Sequence, residues 1–86
     1  MKDNLDQTMY FNKNKPQQEL SPRDTLRVVY GALEAKGYQP LNQLVGYIQS
    51  GDPAYITSYN NARSLIKKYD RDLYIEEMLK SYLGGK

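Results

Sequence analysis

The sequence predicts an all-α domain: a small bundle of about four helices with a short extra turn, preceded by a flexible, disordered N-terminal arm. Three observations carry this. Apolar residues recur at i, i+3, i+4 and i+7 in four segments between Ser21 and Leu83, the spacing that lines one face of a helix. No alternating stretch of useful length competes for a strand. Helix-ending glycines, at Gly37, Gly51 and Gly84-Gly85, separate or close the segments.

The arm is residues 1–20. Asn, Gln, Lys and Asp dominate it, and Lys2, Lys13 and Lys15 balance Asp3, Asp6 and Glu19. Such a segment buries too little apolar surface to offset its ordering entropy. Its one apolar island is Thr8-Met9-Tyr10-Phe11, which either tacks onto the core as a strand-like patch or stays loose.

The helical domain is residues 21–86. Ser21 suits the N-cap of the first helix, Pro22 its first position and Asp24 its positive end. Leu26, Val29, Tyr30 and Leu33 then form its apolar face, and Gly37 its left-handed stop. A second helix starts near Pro40 and presents Leu41, Leu44, Val45 and Ile48. Ser50-Gly51-Asp52-Pro53 ends it, with Asp52 and Pro53 opening a short turn through Ala54-Tyr55-Ile56. A third helix is expected to carry Ala62, Leu65, Ile66 and Tyr69. A fourth is expected to carry Ile75, Met78, Leu79 and Tyr82.

Composition narrows the function. The 86 residues allow one small domain. There is no Cys and no His, which removes disulfides, thiolate metal sites and the usual general base. A net charge of +2 is too small to imply a polyanionic partner by itself. No apolar run approaches a bilayer span. MKDNLDQTMYFNKNK lacks the apolar region of a signal peptide. A cytoplasmic protein with no membrane association is expected. A core of this size is marginal alone, and the nine tyrosines are of a type enriched at interfaces. A homodimer would enlarge the shared core.

Catalysis is not expected. Asp70, Asp72, Glu76 and Glu77 cluster, but acids there complement a helix dipole, cap the last helix, or pair with Arg71 and Lys80. Ser50-Gly51-Asp52 lacks the second glycine and Lys-Thr pair of a phosphate loop. Neither metal nor cofactor is called for. The competing function is nucleic-acid binding. Arg63, Lys67 and Arg71 stand at i, i+4 and i+8 as one stripe on the expected third helix, with Lys68 beside them. The preceding helix and the turn at Gly51 complete the outline of a helix-turn-helix. The neighbouring carboxylates and the small net charge weigh against it.

Three uncommon words occur in order: EAKGYQPLNQLVGY, SGDPAYI and YNNARSLIKKYDRD. Together they resemble the IreB family of small cytoplasmic regulatory proteins of Gram-positive bacteria. The likeness extends more weakly from DQTMYF to YIEEMLKSYL. It implies a non-enzymatic phosphoprotein acted on by a membrane-bound Ser/Thr kinase and its opposing phosphatase, in the response to cell-wall stress that includes cephalosporin resistance. It implies a phosphorylated threonine in a segment like DQTMYF, which is Thr8 here, and it favours the dimer. Leu5 stands where the family can show a second threonine, and Thr57-Ser58 where Pro-Arg often follows GDPAYI. A phosphate on Thr8 could dock on the Arg63, Lys67, Lys68 and Arg71 face, or on a downstream protein that the sequence does not name.

Overall fold

The computed structural model describes residues 20–84. Its helices are α1 (Pro22–Ala35), α2 (Pro40–Ser50), α3 (Ala62–Ile66) and α4 (Arg71–Tyr82), with single 3-10 turns at Pro53–Tyr55 and Tyr59–Asn61. The described residues contain no strand. The expected all-α class holds, and the expected arm up to Glu19 lies outside the described residues.

The local signals act as read. Ser21 Oγ accepts from the Asp24 N–H at 3.1 Å, satisfying a donor that the helix itself cannot. At the other end of α1, Gly37 is left-handed at φ 84°. Its N–H reaches the Glu34 carbonyl and the Tyr38 N–H reaches Leu33, the paired bonds of a Schellman stop. Gly51 ends α2 in the same left-handed state. Asp52 then caps the short turn, accepting from the Ala54 N–H at 2.9 Å.

That turn folds back onto α2. Gln43 Nε2 donates to the Tyr55 carbonyl at 3.0 Å, and the Tyr55 ring lies where a Cβ on Gly46 would stand. Only glycine lets the ring lie this close to the helix backbone. Ile56 is thereby delivered, fully buried, to the core.

α1 packs on α2, α3 and α4. The buried core joins Val29, Ala32 and Leu33 of α1 to Tyr47 of α2, Ile56, Ala62 and Ile66 of the middle segment, and Tyr74 of α4. Leu26, Leu44, Ile48 and Tyr69 flank it. Burial of each of Val29, Leu33, Ile56 and Ile66 contributes about 1.5–3 kcal/mol.

Two expectations need correction. The third helix does not reach Tyr69; α3 ends at Ile66 after 5 residues. Tyr69 leaves the helix so that its hydroxyl can donate to the Leu20 carbonyl at 2.5 Å and its ring can meet Tyr74 edge-on, 6.0 Å between centroids. Asp70 then turns extended to open α4, though its carboxylate makes no cap bond there. The second correction concerns α4. Its buried residue is Tyr74, whereas Ile75, Met78, Leu79 and Tyr82, read as the core face, are all exposed. Leu41 and Val45 of α2 also face outward. A core this small cannot cover every apolar stripe that its helices carry.

Tyr74 is the α4 anchor. Its hydroxyl donates to the Ile66 carbonyl at 2.8 Å, a helix-end acceptor of α3 that otherwise lacks an intrahelical partner. Burial, reinforced by the neighbouring phenols of Tyr47 and Tyr69, pushes the Tyr74 hydroxyl well above the usual tyrosine range. The folded state thus resists an ionisation that the unfolded chain undergoes near pH 10. This contribution is fully present below about pH 10 and is lost as pH climbs from there towards the raised value. We expect thermal unfolding to shift down steeply above about pH 10. Tyr74→Phe should cost about 1–3 kcal/mol at neutral pH, by stranding the Ile66 carbonyl, and should flatten the alkaline fall. Melting curves of both chains across pH 7–11 test this; equal alkaline slopes would reject it.

Candidate functional site

The described surface offers a basic edge and an apolar groove. The basic edge is not the single stripe expected from sequence. Arg63 lies within α3, Lys67 is its C-cap, and Arg71 begins α4. The non-helical turn between Ile66 and Arg71 separates Arg71 from Arg63 and Lys67. α3 is about 7.5 Å long at 1.5 Å per residue, too short to lie along a DNA groove as a recognition helix. The helix-turn-helix outline therefore loses its reading helix.

The two arginines are already occupied in part. Arg63 Nε donates to the Ile56 carbonyl at 2.8 Å, locking the segment that carries Ile56 inward. Arg71 Nη1 donates to the Ile48 carbonyl at 2.9 Å. Ile48 lies in the last turn of α2, where carbonyls lack partners and a cation meets the negative helix end. A Cβ on Gly51 would stand 2.8 Å from Arg71 Cζ, so the glycine that turns the chain also leaves room for the guanidinium. Arg71 was read from sequence as a phosphate-facing cation and a partner for the glutamates. Its geometry makes it the cap of α2. Lys67 and Lys68 are exposed. Among the described residues the one ion pair is Arg27 with Asp24, at 4.0 Å and largely exposed.

Around the acids, Asp70, Arg71 and Asp72 share a polar recess with Ile48 and Ile75. Among the described residues no group of acids stands close enough to hold a metal ion. No described helix is long and apolar enough to cross a membrane. Thr8 lies outside the described residues. The other two threonines are held by the fold. Thr25 is buried in α1 at 2% exposure, and Thr57 is half-buried, its Oγ1 accepting from the Tyr59 N–H at 3.2 Å.

Sequence reading missed the groove. Leu26 and Tyr30 of α1, Leu41 and Val45 of α2 and Met78 of α4 line an open, almost wholly apolar hollow of about 430 Å3. Each residue was assigned to a core face. The signal that could have found the groove is the surplus of apolar stripes over what one chain can bury.

The edge can be dissected by substitution. Arg71→Gln should cost about 0.5–1 kcal/mol of stability, through loss of the α2 cap. Lys67→Gln and Lys68→Gln should stay within about 0.5 kcal/mol of the parent. Denaturant midpoints compare them, and equal midpoints for all three would remove Arg71 from the cap role.

The protein-family comparison adds an independent finding to this geometry of a small helical body. A family model described as IreB regulatory phosphoprotein matches residues 6–84, nearly the whole chain and including Thr8 and the α1–α4 body. The chain belongs to the IreB family of regulatory phosphoproteins.

Proposed function

We propose that this chain is a non-enzymatic regulator modified at Thr8 by a Ser/Thr kinase, reset by the opposing phosphatase, and active through protein contact in the cytoplasm. Its setting, on this reading, is the response to cell-envelope stress, including cephalosporin resistance. The observation that carries the reading is the family match across residues 6–84, which includes the DQTMYF segment. The fold supports this choice of threonine. To modify Thr25 a kinase would have to open α1, and to modify Thr57 it would have to break the turn that Tyr59 closes. Thr8 precedes α1–α4 in sequence, in the DQTMYF segment that resembles the family's modified one.

The effect is electrostatic. A phosphate adds about −1.5 to −2 charge, enough to neutralise a chain whose formal net charge is +2. Arg63, Lys67, Lys68 and Arg71 form the face proposed to meet a partner's acidic surface, with one Arg71 donor spent on the Ile48 carbonyl and its side chain still exposed. Neither metal nor cofactor enters this mechanism, and nucleic acid is not its partner.

The outer face of α4 supports a homodimer. Ile75, Leu79 and Tyr82 stand at i, i+4 and i+7 and are 38%, 52% and 86% exposed. A second copy would cover this stripe, as isologous interfaces do.

Two outcomes follow. Kinase treatment should place phosphate first on Thr8, with circular dichroism unchanged, and Thr8→Ala should abolish the kinase-dependent effect in cells. Mass spectrometry that locates the main phosphosite within α1–α4 would reject the assignment. Sedimentation at micromolar concentration should give twice the monomer mass, and Leu79→Asp should give a folded monomer, because Leu79 takes no part in the chain's own core. A parent chain that sediments as a monomer would refute the dimer.

A further inference from the structure

The groove between α1 and α2 needs an occupant. Its apolar walls include Leu41 and Val45, which are 66% and 53% exposed. A contiguous apolar hollow of this kind marks a binding surface, and about 430 Å3 is the volume of a small ligand site, enough for a few side chains. Among the lining residues the cation is Arg27. Its carboxylate partner Asp24 is 4.0 Å away and both side chains are mostly solvent-exposed, so that ion pair is weak and Arg27 can be recruited.

We propose that the occupant is the chain's own arm. Met9, Tyr10 and Phe11 seat in the groove, Thr8 lies at the rim beside Arg27, and phosphorylation of Thr8 tightens the seat. The docking stands apart from the phosphorylation reading; only the tightening rests on it.

Length and attachment favour this occupant. The described chain begins at Leu20, whose carbonyl is held by the Tyr69 hydroxyl, and α1 starts two residues later. Leu26 and Tyr30 lie only about 8 and 14 Å along α1 from Ser21, at 1.5 Å per residue. The stretch from Phe11 to Leu20 can span about 30 Å when extended, so it can double back along α1 with slack. Because the segment is tethered, the groove meets it at an effective concentration on the order of millimolar. Weak packing by three side chains then suffices.

Chemistry favours it too. Met9-Tyr10-Phe11 is the apolar cluster of an otherwise polar arm. Residues adjacent to a seated island must lie at the rim. On the N-terminal side these are Thr8 and, two positions earlier, Asp6, both suited to a guanidinium. Phosphate on Thr8 would offer Arg27 a bidentate, charge-assisted partner. One such bond is worth about tenfold in the ratio of docked to undocked arm.

The chain has no Cys, so Gln7→Cys can carry a single nitroxide label on the full-length, 15N-labelled protein. Docking should selectively broaden the amide signals of Leu41, Leu44 and Val45 and spare those of Lys67 and Lys68. Phe11→Ser, a change outside α1–α4, should abolish the broadening with the circular dichroism unchanged, and so should Val45→Asp. Phosphorylated Thr8 should raise the docked-to-undocked ratio about tenfold in the parent and leave it unchanged in Arg27→Gln. Uniform or absent broadening overturns the docking. So does broadening that disappears when labelled chains are diluted with unlabelled ones, since the arm would then come from a second copy. Docking that ignores phosphate on Thr8 overturns the tightening. Failure of a kinase to modify Thr8 would instead count against the proposed function, because the docking is read without phosphate.

Discussion

The Tyr74 hydroxyl holds the body together at the point where its sequence-distant parts converge. It donates to the Ile66 carbonyl, so α4 is fastened to the end of α3. Its ring meets Tyr69 edge-on, and Tyr69 in turn holds the Leu20 carbonyl at the root of α1. One buried phenol therefore couples α4, the end of α3 and the start of α1. A Phe could fill the volume but not the hydrogen bond. A Leu could supply neither the bond nor the aromatic edge. The shortness of α3 follows from this. Its chain must stop at Ile66 to offer a helix-end carbonyl, and then turn to bring Tyr69 beside Tyr74.

With the centre so small, the periphery remains apolar. α1, α2 and α4 each carry a stripe wider than the core can cover. Tyr30, Leu41, Val45 and Met78 are left around the groove, and Ile75, Leu79 and Tyr82 on the outer side of α4. The hydrophobic drive that a larger domain spends internally is here available at the surface. That suits the role in protein contact proposed above. It also explains why polar tethers recur at the edges: Arg71 on Ile48, Arg63 on Ile56 and Gln43 on Tyr55. Each ties a loop or helix end to a carbonyl without adding apolar bulk.

What could be read in the sequence was what is local. Ser21 caps within three residues of itself, Gly37 closes a helix whose last turn it adjoins, and Asp52-Pro53 builds its own turn. Interactions across long separations were not legible. Arg71 and Ile48 are 23 residues apart and Tyr69 and Leu20 are 49 apart; no spacing rule links them. The basic stripe failed for the same reason. Arg63, Lys67 and Arg71 have helical spacing, but a tertiary demand at Tyr69 breaks the helix between them. On α4 the periodicity was real, but its direction was inverted. Spacing shows that Ile75, Leu79 and Tyr82 share a face; it does not show that the face belongs to this chain's own core. Tyr74 escaped notice because a single buried tyrosine has no period.

These features bear on how a phosphate could act here. The body is held by buried, largely neutral contacts, and the Tyr69 hydroxyl ties them to Leu20 just before α1. On the proposed reading a phosphate on Thr8 acts without altering these contacts, and the fold should survive it unchanged. The surface it would meet carries an apolar groove with Arg27 in its lining and the exposed Lys67 and Lys68. Contacts of that type are weak enough to be shifted by a single charge-assisted bond, because covering an apolar patch and pairing one cation are of similar size, a few kcal/mol at most. A switch built this way changes what the surface offers rather than whether the protein is folded.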